Sequence, residues 1–206
     1  MGLFFRRNKK AGETVPIADA SSLEADVIVS DTHTELGDVD LTGFWHDNRE
    51  SLLRHTCPPL DDVMIAEAEK ELGFRLPKSY VQLMRLHNGG LVNRCRFRVQ
   101  FPKFGCPDTI YITDIMGIGR DAPYSLLGRF GSRFLVETRG HNKKIGVAVC
   151  NTTLPGRALV FLDYRGIDAS DEPRVTWADA QEKQELLLAK NFSEFIRGLE
   201  VNTVER

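Results

Sequence analysis

Five histidines, four cysteines and a group of carboxylates near residue 170 are the side chains with the types to do chemistry in this chain. His33, His46, His55, His87 and His141 lie far apart. None forms a helical ligand pair, and none has a cysteine at a ligand-like offset, so no metal is expected. Cys57, Cys95, Cys106 and Cys150 are scattered without close pairs, which fits neither a zinc site nor a dense disulfide scaffold. They read as free thiols of a reducing, cytoplasmic compartment. Asp163 ends an apolar run, and Asp168, Asp171 and Glu172 follow it. Clustered carboxylates can act as acid and base or hold a divalent cation, but this spacing matches no calcium loop, and a solvated loop is the competing reading. Serine nucleophile elbows and glycine-rich nucleotide loops are absent. No catalytic residue and no cofactor are therefore assigned.

The chemistry that is left is binding. Arg94, Arg96 and Arg98 alternate with Cys95, Phe97 and Val99, giving one strand an arginine face and an apolar face. Two readings stand for that face. It is a solvent face whose edge-strand charges deter aggregation, or it is part of a docking surface, where the planar, weakly hydrated guanidinium is favoured. Asp163 and Asp168 are the acidic candidates for such a surface. Trp45 and Trp177 suit interface anchors, although aromatic residues in such settings are more often core.

Charge bounds the partner. The formal net charge of -2 gives no global reason to expect nucleic acid or a membrane. Its distribution is uneven. Residues 13–50 carry ten acids against one base, and residues 85–145 carry eleven bases against four acids. A basic middle could face an acidic partner, or be balanced in space by the acidic segment. The start MGLFFRRNKK has its apolar residues before its charges, the reverse of a signal peptide, and no apolar run reaches the length of a membrane span.

The elements that must position these residues follow from periodicity. Residues 1–40 show no sustained period and read as a flexible tail, with at most a short strand at Val27–Val29. Residues 41–202 read as a single domain. A helix is expected from near Leu41, with Leu41, Phe44 or Trp45, and Leu52 on one face. A second runs from the Asp61/Asp62 cap through Ile65, Ala68 and Leu72 to Gly73. A third starts with Pro77 at its first position and carries Tyr80, Leu83 or Met84, and His87, whose charged form would suit the helix dipole. Asn88, Gly89 and Gly90 end it and turn the chain. Strands are expected at Arg94–Phe101, Thr109–Thr113, Phe134–Thr138, Lys144–Cys150, Ala158–Tyr164 and Arg174–Trp177, with Gly and Pro turns between them. A final helix is expected to carry Leu188, Phe192, Phe195, Ile196 and Leu199. Helices, then strands, then a helix give α+β: N-terminal helices, a central mostly antiparallel sheet and a C-terminal helix.

LGFRLPKSY at Leu72–Tyr80 and HNGG at His87–Gly90 are the strongest marks of a resemblance to the SUKH superfamily of Smi/Knr-like domains. Leu76, Pro77, Tyr80, Asn88, Gly89 and Gly90 carry that fold motif. IYITDI, VFLDYRG, PRVTW and NFSEFIRGL follow in order, so the resemblance spans about Phe44 to Leu199. It implies a compact α+β domain, no catalysis and a protein partner. Bacterial members of the superfamily are typically immunity proteins that bind a cognate toxin, often a nuclease or deaminase, and block it. Fungal relatives imply a different role, a scaffold or regulatory module of the cell-wall regulator type.

Overall fold

The computed structural model describes residues 35–100, 106–153, 157–167 and 172–202. The expected strand at Val27–Val29, together with Asp168 and Asp171, lies outside them. Three helices come first: α1 (Arg49–Arg54), α2 (Asp62–Leu72) and α3 (Lys78–Leu86). Four short strands follow: β1 (Gly90–Leu91), β2 (Arg94–Arg98), β3 (Thr109–Tyr111) and β4 (Asp114–Ile115). Next come α4 (Ser132–Arg139), then β5 (Gly146–Asn151), β6 (Ala158–Asp163), β7 (Arg174–Asp179) and β8 (Gln184–Ala189). The described chain ends with α5 (Phe192–Arg197) and β9 (Leu199–Val201).

The architecture is α+β, and every strand pairing among the described residues is antiparallel. The strands form three sheets, ordered β1-β4, β3-β2-β9 and β5-β6-β7-β8. One stretch of chain stitches them together. Residues 109–111 pair with β2, Ile112 N donates to Cys95 O (2.8 Å), Thr113 N to Asn151 O (3.0 Å) and Met116 N to Val149 O (2.8 Å), while 114–115 pair with β1. The ALVFLD run of β6 is buried at all six positions, and the strand is central in its sheet, between β5 and β7.

The core explains the helix faces. α3 buries Tyr80, Leu83 and Met84. Tyr80 meets Phe192 edge-on at 4.9 Å, and Phe97 of β2 packs on Phe195 at 5.3 Å. The Tyr80 hydroxyl donates to Met116 O, so the only polar atom of that ring is satisfied inside the core. Leu36 is also core, with its N–H donating to Gln82 and its carbonyl accepting from Ser193.

Helix ends match their capping chemistry. Asp61 accepts from Met64 N at 2.8 Å, and Gly73 closes α2 in the left-handed region at φ 80°. Pro77 sits at the N-cap, one place before the first helical residue Lys78, and not at the first helical position itself as expected.

Five further expectations are corrected. No helix starts near Leu41: α1 begins at Arg49, where the Asn48 side chain caps Ser51 N, and Trp45 is held extended by a bridge to Val92. Phe134–Thr138 is helical within α4. The three apolar residues Phe134–Val136 suit either period, and Gly140 at φ 78° supplies a helix stop instead of a strand turn. The last apolar stripe is divided three ways. Leu188 lies in β8, the Asn191 cap starts α5 at Phe192, and Leu199 opens β9. The arginine strand β2 is no edge, since β3 and β9 flank it. His87 has extended backbone at the end of α3, and its partners are the Asp47 carboxylate (3.1 Å) and the Trp45 ring, stacked at 4.5 Å.

The turn after α3 is a clamp. Asn88 is 4% exposed, and its side chain donates to Pro58 O (2.8 Å) and Ile118 O (3.0 Å) while accepting from Ile118 N (2.8 Å). Its carbonyl accepts from Cys57 N at 2.9 Å. Gly89, at φ 83°, lets two backbones touch: a Cβ there would lie 2.2 Å from Gly117 N. Asn88→Ala strands the buried N–H and carbonyl of Ile118 and removes a bond to the more exposed carbonyl of Pro58, so it should lower unfolding free energy by about 3 kcal/mol in urea. A loss below about 1 kcal/mol would show that these bonds do not hold the turn.

Candidate partner-binding surface

The arginines of β2 lie across from acids brought by distant chain segments. Arg94 approaches Asp40 at 3.6 Å, Arg96 reaches Glu200 at 3.8 Å and Arg98 reaches the same carboxylate at 3.3 Å. The Arg94 and Arg96 side chains are 25% and 18% exposed, against 65% for Arg98. Only Arg98 therefore offers most of its guanidinium to a partner. The same pattern recurs elsewhere: Lys78 faces Glu35, Arg85 pairs with Asp62, and Arg120 pairs with Glu71 at 3.1 Å. Of these pairs only Asp40–Arg94 joins the acidic early segment to the basic middle; Arg85, Arg96, Arg98 and Arg120 draw their acids from elsewhere in the chain. Each such exposed pair contributes little to stability, roughly 0–1 kcal/mol.

Asp163 is interior, its side chain 1% exposed at the end of β6. It accepts from Arg165 Nε (2.9 Å), Arg165 NH2 (2.8 Å), Arg174 Nε (3.1 Å) and Thr176 Oγ1 (3.0 Å). Arg165 also bridges to Glu185 at 2.9 Å. Burial alone would push the Asp163 carboxyl up, but the bonds from Arg165, Arg174 and Thr176 outweigh it and hold the pKa at about 2. Any effect of Asp163 on a partner would therefore pass through Arg165 and Arg174. Asp168 lies outside the described residues.

The sequence reading missed a second buried acid. Asp114 is fully buried and accepts from Thr113 Oγ1 (2.7 Å) and from Asn151 N (3.3 Å) and Nδ2 (3.1 Å), with His55 Nδ1 at 3.3 Å. Asn151 in turn accepts from Arg139 at 3.0 Å. Tyr124 stacks on the His55 ring at 4.6 Å and covers it. An Asp–His pair can serve acid–base chemistry, but here the carboxylate is bonded on both oxygens and the imidazole is roofed. Its evident work is to hold α1 against β4 and β5. The only sequence signal was Asp114 inside an apolar run, where a lone carboxylate needs partners.

Three pockets are among those that the described residues line. A groove of about 740 Å³ runs between β8, α5 and β9, and Phe97, Arg98, Leu187, Arg197 and Glu200 line it. A smaller one, about 340 Å³, lies between Leu72, Phe74 and the α4 residues Arg133 and Val136. The third, about 200 Å³, is bounded by His141 and Asp179. Among the described residues no group of three or more His, Cys, Asp or Glu side chains is placed to hold a metal ion. No described helix is long and apolar enough to cross a membrane.

Fold and surface together define an α+β domain whose motif residues are interior: Leu76, Pro77, Tyr80, Asn88, Gly89 and Gly90 are all buried. The chain belongs to the SMI1 / KNR4 family (SUKH-1), whose model matches residues 59–198. No curated protein matches it.

The Asp163 cluster predicts a pH dependence. Its folded pKa lies below the ordinary value of 3.8, so its stabilisation is present above that value and is lost as pH falls through about 2. Asp163→Asn should cost roughly 2 kcal/mol at neutral pH, and its deficit against the unmodified chain should shrink between pH 4 and pH 2. Urea midpoints across that range measure it. A deficit that stays constant with pH would mean that the carboxylate charge is not what the cluster uses.

Proposed function

We propose that this chain is an immunity protein that binds a cognate toxin, of nuclease or deaminase class, and neutralises it by covering its active site without covalent change. The observation that carries the reading is membership of the SUKH-1 family over residues 59–198, on a scaffold whose motif residues are interior. Such a scaffold leaves its exposed surface free to vary with the partner. In this reading the chain is cytoplasmic, needs no cofactor and does no bond chemistry of its own. Arg98 is the most exposed member of the β2 arginine face, whereas Arg94 and Arg96 are turned toward Asp40 and Glu200.

The same family description covers Smi/Knr regulators, and a scaffold role is the second reading. Pull-down and co-expression with toxin domains encoded beside the gene separate the two. The immunity reading expects a stable complex and rescue of growth. Absence of both with every neighbouring toxin, alongside a housekeeping complex as partner, would favour the scaffold.

Stoichiometry tests the non-catalytic mechanism. Titrating the chain into the purified toxin should abolish toxin activity at the equimolar point. Complete loss far below equimolar would reveal an enzymatic mode of protection.

A further inference from the structure

The loop from Gly117 to Gly131, whose Tyr124 covers His55, carries an exposed row of rings and arginines. The loop is wound tightly on itself. Leu126 N donates to Gly117 O (2.9 Å), Leu127 N to Gly119 O (2.9 Å) and Phe130 N to Pro123 O (2.8 Å). The Ser125 hydroxyl reaches Gly119 O and Ala122 O. A Cβ at Gly128 would lie 2.2 Å from Ala122 O, and one at Gly131 would lie 2.4 Å from Leu126 O. Its shape is therefore set before any partner arrives.

Three rings stand on this platform in sequence. Tyr124, packed on His55, meets Phe130 at 5.2 Å, and Phe130 meets Phe134 edge-on at 5.5 Å. Phe134 is 42% exposed. Arginines ride on the rings. Arg54 lies 5.0 Å over Tyr124 and donates to its hydroxyl at 3.0 Å, and Arg129 lies 4.7 Å over Phe130. Arg133, next to Phe134, is exposed. Arg54 pairs with Glu50 at 3.1 Å, whereas Arg129 and Arg133 make no ion pair or hydrogen bond within contact distance among the described residues, although Arg133 is near enough to Glu137 to help lower its carboxyl pKa. The other nearby acids are Asp121 and Glu137, and Lys143 holds Glu137.

We propose that this ladder of arginines and aromatic rings is the docking face, and that it takes an acidic protein surface. The inference rests on the immunity reading and names the chemistry of the toxin face. A guanidinium laid on a ring is oriented and partly desolvated in advance, so less is lost on binding. Aromatic rings and arginine are the residues that concentrate binding energy at interfaces. Two exposed cations, with only Glu137 near Arg133 and that acid already held by Lys143, call for carboxylates opposite. A nuclease toxin would then be met on an acidic patch beside its phosphate groove and blocked by overhang, with no mimicry of phosphate. Bases also stack on aromatic rings beside arginine, but the net charge of -2 favours a protein over a nucleic acid.

The test uses the full chain, the neighbouring toxin and three variants: Arg129→Glu with Arg133→Glu, Phe134→Ala, and Arg98→Glu. Urea midpoints establish first that all are folded. The paired charge reversal should weaken toxin binding by about tenfold or more and flatten its salt dependence. Phe134→Ala should raise the dissociation rate, and Arg98→Glu should bind as the unmodified chain does. Tight binding that survives both ladder variants overturns this inference and leaves the immunity reading intact. Failure of the unmodified chain to bind any neighbouring toxin overturns both. Binding of a labelled single-stranded oligonucleotide that the charge reversal abolishes, without effect on toxin, overturns the protein-docking assignment.

Discussion

The three hydrogen bonds of the Asn88 side chain are the contact on which the rest depends. They tie the end of α3 to the chain at Pro58 and to the chain at Ile118, two segments that run past each other with glycine against backbone. No larger residue than glycine fits at position 89, and no shorter side chain than asparagine offers both a donor pair and an acceptor. Once that junction is closed, β1 is delivered to β4, and the 109–116 stretch is set to join three sheets. The loop after Ile118 departs from the same junction, so the placement of Tyr124, Phe130 and Phe134 descends from it.

Interior and exterior use polar groups differently. Inside, Asp114 and Asp163 are surrounded by donors that satisfy nearly every lone pair, which makes them fixed parts of the scaffold. Outside, many charges pair with one another at low energetic value. What sets Arg129 and Arg133 apart is their place beside partly exposed rings. A family whose shared motif is interior needs its partner choice to lie in such surface features, because the buried residues cannot vary without cost to the fold.

Much of the scaffold was legible from local chemistry. Asp61, Gly73 and Asn88-Gly89 mark the helix boundaries because caps and left-handed turns admit few residue types. β6 was legible because an unbroken apolar run has to be buried. The α4 region was not: five residues such as FLVET suit either period, and only the flanking glycines and the cover they provide decide. The Leu188–Leu199 stripe misled because strand, helix and strand happen to align on one core. The arginine face was visible as a pattern, yet its acid partners Asp40 and Glu200 come from the two ends of the described chain, at separations no local pattern encodes. The aromatic ladder was invisible for the same reason, since it joins residue 54 to residues 124–134.

Hydroxyl-radical footprinting of the chain, alone and mixed with the proposed partner, a toxin encoded beside its gene, is the decisive measurement, because it reports the solvent access of individual aromatic side chains. The account predicts that Tyr124, Phe130 and Phe134 become protected on complex formation, while the exposed Leu187 and Val201 beside the β8–β9 groove keep their free rates. Protection of Leu187 and Val201 with unchanged oxidation of the three rings would contradict it.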